Sequence, residues 1–157
     1  MFNLPENCQI ATTLAPAADA AGRNGTGVSL KNAVRAWIVY FIDQGNAATI
    51  ALAPEQCSAV AGTGNKAIPT GQIWVNQDAA TSSALASQTA AASFTTSAAV
   101  KQKIVVFGID PSALDVANGF DCVRAVSGAS NAANIVSALV VIQSRYQGAT
   151  TPNAMAD

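Results

Sequence analysis

Val34-Arg35-Ala36-Trp37-Ile38-Val39-Tyr40-Phe41-Ile42-Asp43 is the stretch on which the fold turns. It is rich in β-branched and aromatic residues and apolar at odd and even positions alike, which predicts a central strand buried on both faces. Its unbroken apolar run, Ala36 to Ile42, is far too short to cross a bilayer as a helix. Gln44-Gly45-Asn46 gives the turn, and Thr49 to Leu52 a second strand with Ile50 and Leu52 on one face. Lys103 to Ile109 and Ile135 to Ile142 repeat the doubly apolar pattern, the former stopped by Asp110-Pro111, since proline cannot continue a ladder.

Shorter candidates fill the intervals. Val28 to Ala33, Ile73 to Val75 and Phe120 to Val126 read as strands, the last with Phe120, Cys122 and Arg124 on one face. Pro54 to Ala59 and Ser112 to Leu114 read as single helical turns, with proline opening the first. Asn118-Gly119 reads as a tight turn. The alanines of Ala79 to Ala92 favour helix while its serines and threonines weaken it, so a strand pair across Leu85 to Thr96 stands as an equal alternative. Six to eight short strands and at most one crossover helix predict an all-β fold, a β-sandwich or jelly-roll-like body, rather than a parallel α/β sheet.

The 157 residues suit one domain. Residues 1–27 read as an extended N-terminal arm closing on the turn Gly22-Arg23-Asn24-Gly25-Thr26-Gly27, residues 28–146 as the sandwich, and residues 147–157 as a frayed, flexible tail. Phe2, which lies outside the residues the structure describes, Leu4, Ile10 and Leu14 are too apolar for a purely solvated arm. Two readings stay open: the arm docks on another surface, or it folds back on its own domain.

Charged residues make up only 11% of the chain, against roughly 25% in an ordinary soluble domain. Few groups therefore keep a free surface solvated, and part of this mild alanine, serine and threonine surface is expected to face a partner. A net charge of −1 with no basic run argues against direct nucleic-acid binding. Met1 to Asn7 lacks the basic and apolar regions of a signal peptide, so the protein is expected to be cytoplasmic where it is made, with no membrane as partner.

Chemistry is thin. There is no histidine, which removes histidine-based triads, histidine-containing zinc sites and the usual general base near neutral pH. Cys8, Cys57 and Cys122 are widely spaced and read as three reduced, buried thiols. Gly62-Thr63-Gly64-Asn65-Lys66 lacks phosphate-loop spacing, and Asp110, Asp115 and Asp121 do not match a calcium loop. No catalytic residue, cofactor or metal ligand is assigned, and the protein is expected not to be an enzyme. Trp37 and Trp74 read as core or interface anchors.

Asn3-Leu4-Pro5-Glu6-Asn7-Cys8-Gln9-Ile10-Ala11-Thr12, Gln44-Gly45-Asn46-Ala47-Ala48-Thr49-Ile50, Val60-Ala61-Gly62-Thr63-Gly64 and Ile73-Trp74-Val75-Asn76 carry a family likeness. So do Lys103 to Phe107, Ile109-Asp110-Pro111, Asn118 to Cys122 and Ser130 to Ile135. With these motifs the chain resembles the cement, or decoration, proteins of tailed-phage heads, encoded beside the major capsid protein. The resemblance implies a β-sandwich or jelly-roll body that pairs as a dimer on the capsid exterior and lies across joints between capsomers, with the major capsid protein as partner.

On that reading the arm, through Leu4, Pro5, Ile10 and Leu14, is expected to carry the capsid contacts. Deleting Met1 to Asp19 is then expected to leave a folded body that no longer decorates heads. Trp74, Phe94 and Tyr146 are the candidates for self-association, because their strands look shorter and less buried than those of Trp37 and Phe107. The rivals are another phage structural part, a tail-tube or head-completion protein, and a carbohydrate-binding sandwich module. The module would use the one exposed-aromatic cluster flanked by polar residues, Ile73-Trp74-Val75-Asn76-Gln77-Asp78.

Overall fold

The computed structural model describes residues 3–146 and 153–156. A helical turn, α1 (Leu4–Asn7), leads into β1 (Cys8–Ala18), β2 (Arg23–Asn24), β3 (Val28–Ser29), β4 (Ala33–Gln44), β5 (Ala51–Leu52), β6 (Glu55–Cys57) and β7 (Lys66–Ala67). There follow β8 (Gly71–Asn76), β9 (Ala86–Ala91), β10 (Phe94–Thr95), β11 (Gln102–Ile109), β12 (Cys122–Arg124), β13 (Val126–Ser127) and β14 (Asn134–Ser144). Two 3-10 turns, Pro111–Ala113 and Val116–Asn118, lie between β11 and β12. Strands hold 49% of the described residues and helix 7%, so the fold is all-β.

One layer is a six-stranded antiparallel sheet in the order β1-β14-β4-β11-β8-β9. The other consists of two small sheets, β10-β5-β13-β2 and β3-β12-β6-β7. These are two halves of one bent layer. The chain runs from β2 into β3, from β5 into β6 and from β12 into β13, and the three resulting strands keep the same neighbour order on both sides of the bend. Each strand breaks for a local reason. Pro54 has no N–H to give a ladder, and at Ala125 the backbone N–H goes to a side chain of β1 instead of a neighbouring strand. The Ala125 N–H donates to Thr13 Oγ1 at 3.1 Å, and its carbonyl accepts from Gly25 N at 2.8 Å. Gly25 must be glycine there, because a Cβ would stand 2.6 Å from the Thr13 carbonyl oxygen.

The core lies between the layers. Ile38, Tyr40 and Ile42 of β4, Val105 and Phe107 of β11, and Val136 and Val140 of β14 meet Val28, Leu52 and Val123 of the bent layer. Tyr40 reaches across: its hydroxyl donates to Val126 O at 3.1 Å and accepts from Val126 N at 2.9 Å. Lys103, inaccessible to solvent, donates to Gln44 Oε1 at 2.7 Å and to Ser97 O and Oγ at 2.6 and 3.1 Å. All three ammonium protons are thus used, while burial pushes the pKa of the group down.

Several sequence expectations are corrected. β4 is central, between β14 and β11, but it is buried on one face only, because the second layer covers one side of the large sheet. Pro54 to Ala59 is not helical: Pro54 marks the bend and Glu55–Cys57 pairs with both β12 and β7. Phe120 to Val126 is not one strand, since it breaks at Ala125 and changes sheet. In Ala79 to Ala92 the strand alternative holds, with Ala86–Ala91 pairing β8, while Phe94–Thr95 joins a different sheet.

Residue 27 is not a structural boundary. β1 pairs with β14 from Cys8 to Ala18, and a register shift between Thr12 and Leu14 turns both Thr13 and Leu14 inward. Of the expected tail, residues 147–152 and 157 lie outside the described residues. Ala154 packs against the core, and its carbonyl accepts from Ser29 N at 2.8 Å.

Candidate functional site

The uncovered face of the six-stranded sheet is the candidate site. Strand alternation aims every second residue of β4, β11 and β14 away from the core, and these sequences are apolar there too. Register aligns them into rows. Thr12, Leu139, Val39, Val106 and Trp74 lie side by side across five strands. Ile10, Val141, Trp37 and Gly108 form the next row, and Ser137, Phe41 and Ile104 the one beyond. Ile10 is 56% exposed, Phe41 43%, Leu139 40% and Ile135 36%. A contiguous apolar sheet face of this kind is unusual on a monomer.

At one end of this face a cavity of about 200 Å³ opens, walled by Arg35, Trp37, Gln72, Trp74, Gly108 and Asp110. Asp110 caps the turn Pro111–Ala113: its Oδ1 accepts from Ser112 N at 2.9 Å and from Ser112 Oγ at 2.7 Å. These bonds, with the nearby Arg35 charge, hold its carboxyl below the usual carboxylate range.

The residues singled out from sequence are scattered. Leu4 and Pro5 sit on α1, exposed. Ile10 belongs to the outer face, whereas Leu14 is a core residue, 4% exposed, and cannot reach a partner while the sheet is closed. Trp74 lies on the outer face, Phe94 packs against the core from β10, and Tyr146 is exposed just past the end of β14. The structure therefore places Ile10 and Trp74 on one face and separates the other five residues from it. Sequence reasoning missed Phe41, Leu139 and Ile135, whose signal was the apolar character of both faces of their strands.

All three cysteines are unbridged and buried, Cys57 directly opposite Cys122 on paired strands. Among the described residues, no three histidine, cysteine or acidic side chains gather in a way that could hold a metal ion. Nor does any described helix have the length and apolarity to cross a membrane.

The fold and its open face define a two-layer, antiparallel β protein with one unpartnered apolar sheet surface. No protein-family model and no curated protein matches the sequence. Among solved structures the chain is similar to the SPBc2 prophage-derived protein YomS, at 10% identity and a TM-score of 0.48 over 87% of this chain and 92% of that one. It is also similar to a "putative sugar binding protein" of Bacteroides thetaiotaomicron VPI-5482, at 13% identity and a TM-score of 0.31 over 78% of this chain and 65% of that one.

Proposed function

We propose that this is a non-enzymatic structural protein of a phage virion, a cement protein. It is made in the host cytoplasm and lays the outer face of its large sheet on the exterior of the head, clamping neighbouring major capsid proteins. The observation that carries the reading is the apolar rows through Ile10, Phe41 and Leu139, which lack a cover in a chain with few charges to solvate them. The sequence resemblance to decoration proteins supplies the identity of the shell. A head strained outward by packaged DNA is held by many modest contacts repeated over a lattice, so no single contact needs to be strong. In this reading the protein acts as a homodimer spanning a joint, without direct contact to nucleic acid. Sedimentation equilibrium showing a monomer at high concentration would remove the dimer.

The test is cosedimentation of purified protein with heads that lack it. Phe41→Asp with Leu139→Asp changes two exposed positions, so the body folds while the face becomes charged. The double variant should lose at least about tenfold in occupancy, since two buried carboxylates without partners oppose docking. Full occupancy by the variant would sink the reading.

A further inference from the structure

We propose that the cleft between Trp37 and Trp74, at the Arg35 end of the same outer face, is a binding site for a neutral sugar, one pyranose ring of a glycan, open in the protein that is not docked on a shell. The inference goes beyond the cement reading and rests on how the cleft is built.

Register makes the cleft. Trp37 of β4 lies opposite Gly108 of β11, and Trp74 of β8 lies opposite Val106, one outward position along. Because Gly108 has no side chain, the Trp74 ring leans into its place: a Cβ there would stand 3.1 Å from Trp74 Cζ3. Two indoles thus border a floor of bare backbone. The cavity, about 200 Å³, is below the ~300–1,000 Å³ of drug-sized sites and suits a single ring.

The polar atoms at the rim have unused capacity. The Gln72 amide nitrogen is spent on Ile73 O, Ser87 Oγ and Gln88 O at 3.2, 2.7 and 2.8 Å, which leaves Oε1 without a hydrogen bond among the described residues. Both bonds to Asp110 fall on Oδ1, which leaves Oδ2. Arg35, two residues before Trp37 on the same strand face, has no hydrogen-bond or ion-pair partner within bonding distance among the described residues. A pyranose matches this set: its C–H face stacks on an indole, its hydroxyls donate to Asp110 Oδ2 and Gln72 Oε1, and its oxygens accept from Arg35. One cation and one anion at the rim cancel, so a neutral sugar fits better than a sialic or uronic acid, whose carboxylate would face Asp110. The cleft lies at the Arg35 end of the sheet, while Phe41 and Ile135 lie toward the Asp43 end.

The two tryptophans of the chain are both in the cleft, so intrinsic emission reports on it without labels. The full-length protein is titrated with the methyl glycosides of glucose, galactose, mannose and N-acetylglucosamine, and with glucuronate. A saturable change with at least one neutral glycoside is expected, with Kd on the order of 1 mM. Arg35→Ala and Asp110→Asn, the latter keeping the Oδ1 cap, should each weaken it at least about tenfold at unchanged melting temperature. No saturable change with any neutral glycoside, a response to glucuronate alone, or equal affinity in both variants overturns the proposal. Head binding by the same two variants should stay at wild-type occupancy, so failure here and failure of the cement reading are separable.

Discussion

Tyr40 does at one residue what the two layers do collectively. Its ring packs edge-on to Phe107 at 5.8 Å between centroids, and its hydroxyl takes both a donor and an acceptor role at Val126. In Tyr40→Phe the Val126 carbonyl keeps Ala53 N at 3.2 Å, but the Val126 N–H loses its Tyr40 acceptor inside the core. The expected cost is about 1–3 kcal/mol in urea unfolding, with the far-UV spectrum unchanged. A variant as stable as the parent would show that the crossing bond is not part of what joins the layers. Asp19 predicts a pH effect. It is fully buried, its Oδ1 accepts from Ser127 Oγ at 2.5 Å and lies 3.8 Å from Arg23 Nε, and its Oδ2 has no hydrogen-bond partner among the described residues. Burial lifts its pKa above the ordinary carboxylate value despite Ser127 and Arg23. The folded state therefore binds a proton that the unfolded state has released, so this group's contribution to stability falls as pH rises from about 4 through the raised folded value and is flat above it. Asp19→Asn should remove that slope, so that urea midpoints measured across the window show the variant gaining on the parent as pH rises. Parallel stability curves for the two proteins would exclude the effect.

At the scale of elements, the first strand decides what truncation does. Removing residues 1–7 strips α1, which buries no residue, and should leave the melting transition in place. Removing residues 1–19 opens the β14 edge, takes Leu14 from the core, Thr13 from the bend at Ala125 and Asp19 from Ser127, and should abolish cooperative melting. A fragment starting at residue 20 that melted like the parent would restore the separable arm expected from sequence. That expectation shows where the sequence was legible. The strands over residues 33–44, 102–109 and 134–144 announced themselves through β-branched, doubly apolar runs, and the all-β class followed. Their one-sided burial did not, because what covers a face depends on distant chain. Leu14 looked like arm because a register shift after Thr12, invisible in alternation, turns it inward. Likewise Trp74 could be picked out as an exposed aromatic, but its meeting with Trp37 over Gly108 depends on a three-strand register that spacing alone does not encode.

For the whole molecule, the balance of charge and apolar surface determines how attachment should respond to salt. Much of the thin charge is already spent internally: Lys66 pairs with Asp115, Lys101 with Asp78, Arg124 with Glu55 and Arg23 with Asp19. The outer face carries its charges, Arg35 and Asp43, toward its two ends, with apolar rows between. Docking through such a face removes apolar area from water and screens almost nothing, so it should be insensitive to ionic strength and show a negative heat-capacity change. At subsaturating protein, occupancy on heads should change by less than about twofold between roughly 50 and 500 mM sodium chloride, where attachment steered by charge falls steeply. Lattice avidity amplifies whatever each contact contributes, so a small salt term per copy would show as a large loss over the shell. Occupancy that collapses at high salt would therefore place the contact elsewhere, on the charged edges of the bent layer.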